Sequence, residues 1–327
     1  MKTRRLGAEG PTVSAIGFGC LSFGGLFGAT TEADSLAALD AAWDLGITFF
    51  DIANIYGAGL SETVVGRWLS LRGHSPVIAT KAGIVPGKVR RIDNSEAYLR
   101  AELEGSLRRL GVSHVDLFYI HRHEQSRPIE EVAQTMGRLI AEGKIGGWGL
   151  SEIAPYTLRR AHAEHPVTAV QNEYSLWSRG PELGLIQDCA RLGVAFVPFS
   201  PLARGIFGRE VFRPETLQQT DFRRAIPRFS AENWALNLPH LMAFRAYAAD
   251  HGLTPPALAL AWLLAQGDHL LPIPGSRSAA HVGDWAGADE IDLTAQMMAE
   301  IAQILPVGWA YGDRYNDDQA ASVERYS

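Results

Sequence analysis

Four side chains in this sequence have the chemistry to place a proton on an oxygen: Asp51, Tyr56, Lys81 and His121. A phenol ordinarily ionises near 10 and is a poor acid at neutral pH. An ammonium ~4 Å away contributes roughly 4 kcal/mol at an effective dielectric of about 20, or about 3 pK units, and would draw Tyr56 toward neutrality as a donor. Burial tends to discharge a lysine, and Asp51 as counter-charge would keep Lys81 protonated. His121 can donate a hydrogen bond to a carbonyl oxygen. The set suits protonation of an oxyanion while something else attacks the carbon. Singly, each residue has an ordinary reading. Asp51 could cap a helix or form a turn, Tyr56 could cover the core, Lys81 could be a solvated loop charge, and His121-Arg122-His123 could be a polar surface cluster. Together at successive strand ends, they make a site.

The elements that would position them follow from periodicity. Short β-branched or aromatic runs at 15–19, 48–51, 77–80, 115–121, 146–151, 168–171, 194–198 and 270–274 predict eight strands. Amphipathic runs between them, at 32–45, 61–71, 95–110, 130–142, 155–163, 181–192 and 255–265, predict helices. Eight strands, each followed by a helix or long loop, predict an α/β fold, a (β/α)8 TIM barrel with extra helices and a long loop after strand 7. The expected organisation is a single domain over 1–327, with a hairpin-like cap at 1–14, a loop at 199–231 that could act as lid or cofactor strap, and an aromatic-rich tail at 305–327 carrying Trp309, Tyr311, Tyr315 and Tyr326. Asp51, Lys81 and His121 end the second, third and fourth strands, and Tyr56 sits on the loop after the second. Strands about 5 Å apart let these tips converge. A doubly wound nucleotide-binding sheet is disfavoured, because Gly17-Phe18-Gly19-Cys20-Leu21-Ser22 lacks the third glycine of GxGxxG. Gly87-Lys88-Val89 is no Walker A loop, no GxSxG or HExxH is present, and His162 and His165 read as surface residues.

The 327 residues carry 30 Lys plus Arg and 36 Asp plus Glu, a net charge of −6. That balance gives no footprint for nucleic acid or anionic lipid. The longest apolar run, 257–265, is too short to span a bilayer. Cys20 and Cys189 form no metal pattern and read as reduced thiols, so a cytoplasmic protein is expected. No side-chain nucleophile is evident, so the attacking species must come from a cofactor. Its surface is sought in VPFSPLARGIFG and PIPGSRSAAHVGDW, the segments after strands 7 and 8, where barrels usually bind phosphate. There Ser276 and Arg277 are expected to open a short helix whose N–H groups favour an anion, with the Arg277 fork added.

Eight segments in order, IGFGCLSFG, FFDIANIYGAGLSETVVGRWL, VIATKAG, RLGVSHVDLFYIHRH, GKIGGWGLSE, AVQNEYSLWSR, VPFSPLARG and LALAWLLAQGDHLLPIPGSR, resemble the aldo-keto reductase superfamily over nearly the whole chain. GLSE, EYSLWSR, LAWLLAQG and the AYGDRY tail look most like its bacterial pyridoxal-reductase-like branch. The resemblance implies an NADP-dependent alcohol dehydrogenase or carbonyl reductase, with NADPH (NADH possible) reducing an aldehyde or ketone reversibly. It implies Tyr56 as general acid, Lys81 lowering its pKa, Asp51 paired with Lys81, and His121 orienting the carbonyl. Ser151 and Gln171 would hold the nicotinamide carboxamide, and Phe199 would stack on the ring. Ser200, Leu202, Arg204 and Gly205 would strap the pyrophosphate, and Ser276 and Arg277 would take the adenosine 2′-phosphate. Gly19 and Cys20 of the first segment, Gly275 of the last, and His281 and Asp284 at the adenine end complete the expected cofactor set. Glu152, His281, Asp284 and Trp285 stand where other residues are common in the family. The partner is a small-molecule carbonyl or alcohol, with a mouth lined by Leu21, Phe23, Phe27, Ile84, Trp177 and Phe222, and with Arg122 and Arg223 able to hold an acidic or hydroxylated group. The sequence also admits an NADPH-binding redox-sensing subunit with slow turnover, and a Schiff-base aldolase using Lys81.

Overall fold

Seven parallel strands run around one axis in chain order: β1 (Phe18–Gly19), β2 (Phe49–Asp51), β3 (Val77–Ala82), β4 (Val115–Ile120), β5 (Ile145–Ser151), β6 (Ala169–Gln171) and β7 (Ala195–Phe196). The computed structural model describes residues 1–87 and 91–326, so Lys88, Val89 and the tail's last residue Ser327 lie outside the described residues. Helices Glu32–Asp44, Leu60–Arg72, Glu96–Leu110, Ile129–Ala141, Pro155–Glu164 and Leu185–Leu192 return the chain along the outside after the first six strands. Their starts are set locally, as where the Ser95 hydroxyl accepts from Tyr98 N at 3.3 Å and the Thr31 hydroxyl from Asp34 N at 3.1 Å.

The segment 270–274, expected as the eighth strand, closes the circle without forming a full ladder. Leu271 N donates to Phe196 O (2.9 Å) and Ile273 N to Pro198 O (3.1 Å) on the β7 side. On the β1 side, Pro272 O and Pro274 O accept from Gly17 N and Gly19 N, each at 2.9 Å. The two prolines have no N–H to give back, so the seam carries half of a normal set of bonds. The backbones meet closely here. A Cβ on Gly19 would lie 2.9 Å from Ile273 O, and one on Gly275 would lie 2.5 Å from Gly19 O. These two glycines, expected at the cofactor, are therefore also what lets the barrel close. The fold is a (β/α)8 barrel.

Strand alternation decides what the barrel holds. Phe49, Ala79, Leu117, Ala169 and Ala195 pack inside with Val197, Leu271 and Ile273, and Leu6 and Val13 join them from an antiparallel hairpin (Thr3–Arg5 with Thr12–Ser14). Two residues further along each strand, at the C-terminal end, the inward positions become Asp51, Lys81, Tyr119, Ser151 and Gln171. Phe50, Phe118, Trp148 and Val170, facing the other way, bury against the helices.

The long loop expected after the seventh strand is present, built from short 3-10 turns, among them Ala203–Gly205, Pro214–Thr216 and Phe222–Ala225. Two features depart from the expected pattern. The loop enters the 20-residue helix Ala231–Asp250, which contains Pro239. The helix foreseen at Ser276 instead starts at Ala279 and ends at Gly283, leaving Ser276 and Arg277 ahead of it.

The tail is fastened to the C-terminal ends of β4 to β6. Trp309 Nε1 donates to Leu176 O (2.8 Å), Glu324 accepts from Ala154 N (2.8 Å) and Thr157 Oγ1 (2.7 Å) and pairs with His123 Nδ1 (2.6 Å), and Asn172 donates to the Tyr326 hydroxyl (2.8 Å). Arg314 bridges Glu152 (2.5 Å) and Glu173 (3.2 Å), and Glu173 also takes Arg204 at 2.6 Å. Burial pushes the Glu173 carboxyl up, but Arg204, Arg314 and Arg228 outweigh it and hold it at about 2. Because the folded value lies below the unfolded value of 4.5, the associated stability is present above pH 4.5 and lost as pH falls toward 2. We predict that denaturant melts of the native protein lose about 3 kcal/mol across that window. Glu173→Gln should start less stable at neutral pH and show a flatter acid dependence. An unchanged acid dependence in the variant would contradict the assignment.

Candidate active site

Asp51 and Lys81 face each other across the β2–β3 pair with 2% and 0% of their side chains exposed. The ammonium is fully engaged. It donates to Asp51 Oδ1, to Ile52 O at 2.8 Å and to the Tyr56 hydroxyl at 3.4 Å. Gln171, from β6 across the barrel, donates its Nε2 to Asp51 Oδ2 at 2.8 Å and fixes the carboxylate from the other side. Tyr56 rides on the turn after β2, and its ring meets that of His121 edge-on, with centroids 5.8 Å apart at 80°. His121 is set by its own amide, which donates to Ala82 O at 2.7 Å. All four groups expected to converge do so.

The electrostatics differ from the simple two-body expectation. Burial alone would discharge Lys81, but Asp51 and Tyr56 lift it above the ordinary lysine value. Burial holds the Asp51 carboxyl above the usual carboxylate range, against the pull of Lys81 and Gln171. Burial also raises the phenol of Tyr56; Lys81 pulls it down, and the Asp51 charge behind the lysine pushes it up. The net shift is upward, opposite to the expected fall, because burial disfavours the phenolate and the Asp51 charge partly cancels the field of the ammonium. The phenol of Tyr56 is thus held in its protonated form.

A cavity of about 880 Å³ opens over this floor, at the upper end of the range for small-molecule and cofactor sites. Asp51, Tyr56, His121, Ser151, Gln171 and Phe199 line it, as do Ser200, Leu202, Arg204 and Gly205 after β7, and Gly19, Gly275, Ser276, Arg277, His281 and Asp284. One continuous space therefore joins the strand-end groups to the 275–285 segment. Cys20 does not belong to it. Its thiol is buried with 0% exposure behind the β1 wall, and burial drives it well above the usual thiol value.

Several expected contacts are rearranged. The Arg204 side chain, foreseen on a pyrophosphate, is turned to Glu173 and stacks against Tyr315 (4.7 Å) and Phe222 (5.2 Å). Arg204 still lines the cavity, in a strained run where Ser200, Ala203 and Arg204 have φ of 50°, 49° and 59°. The Gln171 amide nitrogen is already committed to Asp51, and Asp284 pairs with Arg209 at 2.8 Å. The Ser276 hydroxyl closes on Ser278 O at 2.8 Å. A five-residue helix starting at Ala279 supplies little dipole for an anion at Ser276, so Arg277 carries the positive charge there. Among the expected mouth residues, Leu21, Phe27, Ile84 and Phe222 line the cavity, whereas Phe23 and Trp177 are core, 1% and 4% exposed. Arg223 is neutralised by Asp221 (2.7 Å) and lies over Phe27 (4.9 Å). Sequence reading missed Glu152, Glu173 and Arg314 as a group. The available signal was the pair of glutamates just past the ends of β5 and β6.

The donor set fits a phosphorylated dinucleotide: a large cavity with polar strand-end groups, a loop with left-handed backbone, and the Arg277 cation among its lining. Residues 15–306 match the model of the aldo/keto reductase family. A probable aldo-keto reductase 1 from Glycine max is 40% identical over 95% of this chain and 91% of its own. An aldo-keto reductase of Schizosaccharomyces pombe described as NADP(+)-dependent is 37% identical over 96% of this chain and 94% of its own. Among solved structures, the glycerol dehydrogenase AKR11B4 from Gluconobacter oxydans superposes with a TM-score of 0.86 at 26% identity, covering 96% of this chain and 98% of that one. The holo aldo-keto reductase AKR11C1 from Bacillus halodurans gives 0.76 at 27% identity, covering 98% and 99%. The chain belongs to the aldo/keto reductase family, whose members are oxidoreductases acting on carbonyl compounds.

Proposed function

We propose that the protein is an NADPH-dependent carbonyl reductase in which Tyr56 delivers the proton. The observation that carries this reading is the Tyr56 hydroxyl, 3.4 Å from a fully buried ammonium, on the floor of a cavity that also reaches Arg277. When bound, reduced nicotinamide supplies a hydride to the carbonyl carbon. The chain does the rest. Tyr56 and His121 take the carbonyl oxygen between them and hold it in place. As that oxygen gains charge, the Tyr56 proton moves to it, the O–H bond of the tyrosine breaks, and the phenolate left behind is met by Lys81. At 3.4 Å an ammonium and a phenolate attract by about 5 kcal/mol at an effective dielectric of about 20, of which the Asp51 charge offsets a part, and this ion–ion attraction is absent before transfer. This is stabilisation confined to the transition state and product, which is what raises a rate. Asp51 keeps Lys81 charged, and Gln171 holds Asp51. Ser151 and Phe199 border the nicotinamide end; Ser200–Gly205 and Arg277 take the phosphates.

Lys81 as a Schiff-base nucleophile is disfavoured, because that chemistry needs a neutral amine and Asp51 raises the ammonium. The pyridoxal-reductase-like resemblance places pyridoxal among the carbonyls to assay.

Tyr56→Phe should lower kcat by about 10²–10⁴-fold while tryptophan-fluorescence titration shows NADPH affinity little changed. Turnover retained in that variant would overturn the assignment. Arg277→Ala should weaken NADPH binding by about tenfold or more and leave NADH nearly unaffected, since only the former carries the 2′-phosphate. Equal losses for both would remove Arg277 from the phosphate site.

A further inference from the structure

Six arginines line the cavity: Arg122, Arg204, Arg209, Arg213, Arg223 and Arg277. Three are neutralised, Arg204 by Glu173, Arg209 by Asp284 and Arg223 by Asp221. Arg213 and Arg277 are exposed, so water screens them. Arg122 is the exception. It is 5% exposed, and among the described residues no carboxylate lies within ion-pairing distance of it. Its Nη1 donates to His121 O (2.5 Å) and to Ser151 Oγ (3.3 Å), while its Nε has no acceptor. Two neutral oxygens therefore hold the guanidinium in orientation and leave its charge uncompensated. Burying an ion without a counter-charge is strongly unfavourable, and such an arrangement is stable in function when the missing charge arrives with a ligand.

The position says which ligand. Arg122 follows His121 directly, holds Ser151, and is close enough to Tyr56 for its charge to pull the phenol down. It is thus at the carbonyl end of the cavity, whereas the phosphate-binding surface lies at Arg277. The charge it awaits is on the substrate. We infer that Arg122 reads a carboxylate carried by the carbonyl compound, so that the favoured substrates are aldehyde and keto acids. A guanidinium suits this task, since its planar fork matches a carboxylate's two oxygens.

This rests on the carbonyl-reductase reading, and the experiment separates the two. Matched pairs differing only by a remote carboxylate are compared: succinic semialdehyde with butanal, and laevulinate with pentan-2-one. The native enzyme should favour the acid of each pair by about tenfold or more in kcat/KM. Arg122→Gln should bring the ratio to within about twofold, and Arg122→Lys should retain an intermediate preference, because the charge survives without the fork. Calorimetric binding of butanoate to the native protein in the presence of NADP+ should weaken by about tenfold in Arg122→Gln, and butanamide should not discriminate between the two. No preference in the native enzyme, an unchanged ratio in Arg122→Gln, or equal losses on acid and neutral substrate with weakened NADPH binding would each overturn the inference. Reduction of neither member of either pair would instead count against the carbonyl-reductase reading, with butanoate binding still deciding the role of Arg122.

Discussion

An ammonium with no exposed surface survives inside this barrel because a carboxylate and a backbone carbonyl are held against it. Removing either partner of such a pair costs about 3–5 kcal/mol, since the remaining charge is stranded. The Lys81–Asp51 pair therefore constrains everything around it. It requires β2 and β3 in their observed register, with Asp51 opposite Ala79 and Lys81 opposite Tyr119. It requires Gln171 to reach across from β6. It also fixes which turn can present Tyr56 to the ammonium. The strand period then does the sorting, with one inward layer apolar and the next, at the C-terminal mouth, polar. A slip of one residue would send Phe50 inward and Asp51 out against the helices, so register and chemistry stand or fall together.

A second buried charge system sits behind the first. Glu152 and Glu173 follow the ends of β5 and β6, and Arg314 from the tail and Arg204 from the loop after β7 neutralise them. Through these contacts the last part of the chain is joined to the strained loop after β7 that lines the cavity. The tail is a tie between three strand ends and that loop, and Tyr315, stacked against both arginines, fills the space between them.

The sequence made the barrel legible because strands of β-branched and aromatic residues alternate with amphipathic helices, and because Asp51, Lys81 and His121 each close a strand. Position along a strand is a one-dimensional property, and it carried the tetrad. What was hidden depends on who else is nearby in space. Arg204 reads as a phosphate ligand until Glu173 comes within 2.6 Å of it, and Gln171 as a carboxamide ligand until Asp51 takes its nitrogen. Cys20 neighbours the cavity residue Gly19, yet the alternation turns it into the wall. The direction of the Tyr56 shift was missed for the same reason: a pairwise estimate with Lys81 leaves out burial and the carboxylate behind it. The helix Ala231–Asp250 was overlooked although Trp234, Leu241, Phe244 and Ala248 bury one face, because the irregular run before it and Pro239 within it mask the period.

Among the described residues, Asp51 is the one negative charge paired with the buried Lys81 ammonium beside the phenol, with the Tyr56 hydroxyl and Ile52 O as its other partners. The role of that charge is tested most directly by NMR titration of the 15N-labelled Lys81 side chain in the native protein and in Asp51→Asn. The ammonium should titrate above the ordinary lysine value in the native protein and below it in the variant, where only the neutral partners remain to oppose burial. The same titration in both proteins, or a neutral amine in the native one, would contradict it.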